Sequence, residues 1–158
     1  MKKLLFALLG AALMTISCGK QNPDDNNGGG DNLQPASATT VYTGTCSVTT
    51  GPSPSNLDGS VVEVTLGDKT LEIKFVKISF VPGKMPPMDI YMKEIPFTKD
   101  GDSGKIVFER DDFDPWCLEV EYPDYHVTGL TGSIDSGNIE FSLKFGAIPT
   151  SFAGAAQK

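Results

Sequence analysis

The sequence predicts an all-β protein, an antiparallel up-and-down β-barrel of about eight to ten strands, with a β-sandwich as the alternative. Three observations lead there. Apolar and polar residues alternate in run after run, as in strands with one buried and one wet face. The 17 Gly and 11 Pro among 158 residues leave little room for long helices, and no window carries a helical stripe. Turn sequences such as Gly67-Asp68 and Asp135-Ser136-Gly137-Asn138 separate the runs at hairpin spacing. A sheet of this kind must close on itself or meet a second sheet to hide its apolar face.

The runs begin at Val41. Tyr42, Cys46 and Val48 share one face, with Thr43, Thr45 and Ser47 on the other. Val62, Val64 and Leu66 come next, then Leu71, Ile73 and Phe75 after the Gly67-Asp68 turn. At Phe75-Val76 the phase slips, because Val76, Ile78 and Phe80 continue on even numbers, and a bulge is expected there. Ile90 and Met92 lead to Ile95 and Phe97 across Pro96. A short strand over 105–109 follows the turn Asp100-Gly101-Asp102-Ser103-Gly104. Trp116, Leu118, Val120 and Tyr122 then oppose Cys117, Glu119 and Glu121, which puts Trp116 on the inward face. A strand over 127–134 precedes the alternation of Ile139, Phe141, Leu143 and Phe145 with Glu140, Ser142 and Lys144. A last strand covers about 148–154.

This barrel domain, residues 41–158, is preceded by two segments of other character. Residues 1–17 read as a signal peptide: Lys2 and Lys3 are followed by an apolar run over 4–16, shorter than the ~18–20 residues that span a bilayer. The run ends in Thr15-Ile16-Ser17-Cys18, which resembles the lipobox of bacterial lipoproteins. That resemblance implies lipid attachment at Cys18 and a membrane held through the acyl chains. An ordinary secretory signal with an incidental cysteine is the alternative. Residues 18–40, with Gly28-Gly29-Gly30 and few apolar side chains, read as a flexible tether. Within it, Asp24-Asp25 resembles the acidic signal that sends Bacteroides-type lipoproteins to the cell surface, the alternative being a plain solubilising linker.

Thirteen Lys and Arg against 20 Asp and Glu give a net charge of −7, and removal of Lys2 and Lys3 with the signal makes the remainder more acidic still. Such a chain is a poor nucleic-acid ligand, since phosphate binding draws on clustered cations. The single histidine, His126, excludes a multi-His metal site, and it reads as a loop or strand-edge residue. No nucleophile elbow, phosphate loop or zinc spacing appears, so neither an enzyme nor a cofactor is expected. The crowded acids Glu109, Asp111, Asp112 and Asp114 suit a solvated loop better than a calcium site. With Cys18 acylated, Cys46 and Cys117 are the one pair left for a disulfide; an oxidising compartment allows it and strand parity opposes it.

The tokens Val41-Tyr42-x-Gly44, Gly67-Asp68-Lys69-Thr70-Leu71, Met88-Asp89-Ile90, Leu130-x-Gly132-Ser133-Ile134 and Phe152-x-Gly154 stand in order along the body. In this arrangement residues 41–156 resemble the calycin-like β-barrel domain of exported lipoproteins from Bacteroides-type bacteria. The resemblance implies a barrel related in shape to lipocalins and avidins, on an outer-membrane-anchored lipoprotein facing the periplasm or the cell surface. The Pro-rich connection over 80–92 lies at one barrel end, and Met85, Met88, Tyr91 and Trp116 are the candidates for binding a small apolar ligand in or at the barrel mouth. The competing expectation is a barrel filled by its own large side chains (Tyr42, Phe75, Phe80, Trp116, Phe141 and Phe145), acting as a structural or interaction module toward an envelope protein partner.

Overall fold

In the computed structural model, the described residues are 37–80 and 86–158. The signal segment, Cys18, most of the tether and Met85 lie outside them. Among the described residues ten strands form one antiparallel sheet: β1 (Ala38–Val48), β2 (Ser55–Leu66), β3 (Thr70–Ile78), β4 (Met88–Lys99), β5 (Ile106–Arg110), β6 (Trp116–Cys117), β7 (Val120–Glu121), β8 (Val127–Asp135), β9 (Asn138–Phe145) and β10 (Ile148–Ala156). Neighbours run β3-β2-β1-β10-β9-β8-β5-β4, and β3 pairs with β4 to close the ring. Eight strands therefore make a closed up-and-down barrel, with β6 and β7 as an added ribbon against β4. The sandwich alternative falls away. β1 starts at Ala38, so residues 38–40, placed in the tether by composition, already belong to the wall.

Closure depends on bends in the wall. The slip expected at Phe75-Val76 is a register shift between Phe75 and Ile78, with Lys77 at φ 49°. A second shift falls where Leu71 and Ile73 face Ile95 and Met92, with Glu94 at φ 53°. Each extra residue kinks one strand and sharpens its twist, which a sheet needs in order to curl shut.

The Tyr-x-Gly and Phe-x-Gly tokens meet at the seam joining the first and last strands, where Gly44 is paired with Gly154. A Cβ on Gly44 would fall inside van der Waals distance of the Ala153 carbonyl, so only glycine allows this approach. Gly132 plays a different part. A Cβ there would stand 2.5 Å from the Phe108 ring and from Phe141 Cβ, so its bareness makes room for two core rings.

One strand differs from the sequence reading. Residues 116–122 are not a single run, because Leu118 and Glu119 both take positive φ (50° and 65°) and fold the chain back after two residues. Ribbon register then sets the faces: Cys117 opposes buried Ile90, and Trp116 opposes Tyr91 on the outer side. Trp116 is thus not an inward residue. Leu118 at the ribbon tip is 82% exposed and Val120 is 58% exposed. The parity that turned Cys117 away from the core fails for the same reason. Cys46 and Cys117 are both buried, and both are free thiols.

Candidate functional site

Inside the barrel the space is taken up by rings. Phe75, fully buried on β3, makes edge contacts with Phe80, Phe141, Phe145 and Phe152 at centroid distances of 6.1, 5.7, 6.2 and 6.2 Å. Phe80 and Phe145 lie closer, at 4.8 Å, and Phe108 extends the cluster through Phe141 at 6.3 Å. A short 3-10 turn, Pro123–Tyr125, adds Tyr125 over Phe80 and Phe145, with Tyr122 stacked behind it at 5.1 Å. Of the six residues expected to fill the interior, five are buried; Phe108 and Phe152 join them, and Trp116 does not. The Cys46 thiol shares this interior, and burial pushes its pKa up to about 12, so it stays protonated.

The outward face of the wall is polar, as the pairs Thr45 with Asp58 and Ser47 with Asn56 show. That is the reverse of a membrane-spanning barrel, whose outer band is apolar. Among the described residues no helix is long and apolar enough to cross a membrane. An open trough of about 600 Å³ lies over small outward residues, including Ser47, Ser142 and Ser151.

Three of the four ligand candidates fall close together, Met88 at the start of β4 and Tyr91 and Trp116 paired just beyond it. Met88 is half-buried, its Sδ accepting from Cys117 Sγ at 3.4 Å. Tyr91 and Trp116 stand side by side on the outer wall through the β4–β6 pairing. The Lys93 ammonium lies 4.1 Å from the Trp116 ring centroid and 5.9 Å from that of Tyr91. Lys74, paired with Glu63 at 3.2 Å and Asp89 at 3.3 Å, approaches the Tyr91 ring as well.

Beside this aromatic pair the wall is interrupted. β4 pairs with β5 only from Phe97 to Lys99 and with β6 only at Ile90 and Tyr91, so residues 92–96 have no ladder partner on that side. Arg110 bridges the gap: its Nη1 donates to the Lys93 carbonyl and its guanidinium covers the Phe113 ring at 4.3 Å. A pocket of about 430 Å³ opens on one side of Arg110, lined by Lys93, Glu94, Asp112, Phe113, Asp114, Trp116 and Glu121. Another, of about 560 Å³, is also lined by Arg110, together with Pro96, Leu130 and Thr131.

The crowded acids are tied into this region by a contact that the sequence alone did not signal. His126 holds Asp114 Oδ1 at 2.7 Å through Nδ1 and Asp112 Oδ1 at 2.9 Å through Nε2. Carboxylates only accept, so both nitrogens donate together only in the protonated ring. The bonds to Asp114 and then Asp112 raise the histidine's pKa above its ordinary value. Asp111 caps the Gly129 amide at 2.7 Å. These three carboxylates therefore shape their own loop, and among the described residues no group of three or more His, Cys, Asp or Glu is placed to hold a metal. Asp100, in the other acid-rich turn, accepts from the amides of Asp102 and Ser103, which lower its pKa and mark a hairpin turn.

In comparisons with known proteins, no family model, no curated protein and no solved structure matches this chain.

Proposed function

We propose that the chain is an exported lipoprotein, anchored to the outer membrane through acyl chains on Cys18, whose calycin-like barrel works without catalysis as an envelope module that binds through its outer wall. The observation carrying this reading is the interior: Phe75 and the four phenylalanines in edge contact around it occupy the volume in which a lipocalin-like barrel would enclose a ligand. An acidic body is repelled by anionic lipid, so the anchor rather than the barrel surface would hold it at the membrane. Growth on an alkyne-tagged fatty acid tests the anchor. The chain should take up the tag, and Cys18→Ser should abolish both tagging and membrane retention; untagged protein would overturn the assignment. Native mass spectrometry of protein from its own cells tests the interior, and the expected result is the bare polypeptide plus its acyl chains. Protease treatment of intact cells separates surface display, in which the barrel is shaved off, from a periplasmic location, in which it survives.

A second reading, a small apolar ligand at the barrel mouth, is favoured by Met88, which lies half-buried against Cys117. A co-purifying apolar molecule lost on Met88→Ser would select it over the first.

A further inference from the structure

We infer that the pocket beside Arg110 and Trp116 binds a neutral saccharide unit, stacked against the indole and held at its rim by charged side chains. A pyranose has an apolar C–H face and a rim of hydroxyls that both donate and accept. The pocket offers the matching parts. Trp116 supplies a flat apolar surface on the outer wall, Glu94 and Glu121 supply acceptors, and Lys93 and Arg110 supply donors. Its volume of about 430 Å³ is of the size that takes one or two sugar rings.

Other ligand classes fit the lining less well. An apolar molecule would face a pocket in which six of the eight lining residues are charged. A phosphate would meet four carboxylates, and an organic cation would meet Lys93, already over the indole at 4.1 Å, and Arg110. A sugar entering over that indole moves the flexible lysine aside and receives hydrogen bonds from it.

Two features mark the pocket as built rather than incidental. Glu94 and Asp112, both lining the pocket, hold positive φ, 53° and 58°, in conformations that cost energy for residues other than glycine. The barrel ladder is also broken at this place, and its gap is spanned by the Arg110 side chain instead of backbone bonds. This inference deepens the outer-wall reading above by naming what the wall takes. It stands apart from the acyl anchor, so either test can fail without the other.

Trp116 is the single tryptophan of the chain, so selectively excited tryptophan emission reports on this pocket alone. The purified full chain is titrated with cellotetraose, maltotetraose, mannotetraose and chitotetraose, and with spermidine as the cationic control. At least one oligosaccharide should give a saturable change in emission. By calorimetry Trp116→Ala should weaken that binding about tenfold or more, and Glu121→Ala, exposed and outside the closed barrel, by several-fold with an unchanged melting curve. If Trp116→Ala does not fold, Glu121→Ala decides. Saturation by spermidine instead, no saturation by any of the four sugars up to about 10 mM, or undiminished binding in the folded variants would each overturn the inference.

Discussion

Truncating Phe75 to alanine removes a fully buried ring that touches four other rings at 5.7–6.2 Å. A phenylalanine buries about 150–250 Å², which at ~25 cal/mol per Å² corresponds to roughly 4–6 kcal/mol. Alanine keeps part of that surface, so a loss of about 3–5 kcal/mol is expected, in the range for such truncations in packed cores. Against a total stability of about 5–15 kcal/mol this is a large fraction. For a domain of this size each kcal/mol moves the melting temperature by roughly 3–5 °C, giving a fall of ~10–20 °C. Urea unfolding followed by Trp116 emission is the assay, with Leu118→Ala, at the exposed ribbon tip, as a control expected within about 0.5 kcal/mol of the parent. A second signature follows from the same geometry, because benzene should bind the new apolar cavity and restore part of the loss. A loss below about 1 kcal/mol at unchanged urea dependence would refute the ring-filled interior, since a ring bordering an empty cavity has fewer partners to lose.

Three further outcomes follow. His126 has a raised pKa in the folded state, so its two carboxylate bonds stabilise the fold below the ordinary histidine pKa of about 6.5 and are lost as pH rises through the folded value; the urea midpoint of His126→Gln should lack that pH-dependent component, and a slope identical to the parent's would sink the clamp. Gly132→Ala should cost about 1–3 kcal/mol by pressing on Phe108 and Phe141, read from the same unfolding curves, and a neutral effect would contradict the close approach. Cys46 and Cys117 should resist iodoacetamide at pH 8 in the folded protein, and in denaturant without reductant both should alkylate, as mass spectrometry would show; a pair that stays unmodified until reduced would reveal a disulfide.

The barrel was legible because alternation reports directly which side of a strand is buried. From Ile139 to Phe145 every odd residue is buried and every even one exposed, as the sequence pattern requires. The bulge near Phe75 was legible too, since an inserted residue leaves a visible phase slip. Trp116 was misread because Leu118 and Glu119 give no turn signal, although they adopt the backbone that Gly or Asn would adopt more cheaply. Register against β4, not local alternation, decides that face. The clamp on His126 stayed hidden for a different reason. Its partners stand 12 and 14 residues away in the chain, and only the folding of the intervening ribbon brings them together. The pocket at Arg110 depends on a place where two strands part, and strand parting leaves no mark in hydrophobic periodicity.

The pairing of β1 with β10 has a consequence for how the molecule is made. Tyr42 meets Ala156 across the seam, so the ring cannot shut until nearly the whole barrel sequence is present. Until then β1 and the growing end each offer a free edge on which another chain could add. Most other neighbours are consecutive hairpins that form locally, which leaves this one long-range closure as the slow step. A chain still being synthesised would therefore carry an open, curved sheet with two exposed edges until its last strand arrives. The last strand works as the clasp, and shortening it would leave a soluble-looking sequence in an aggregation-prone state.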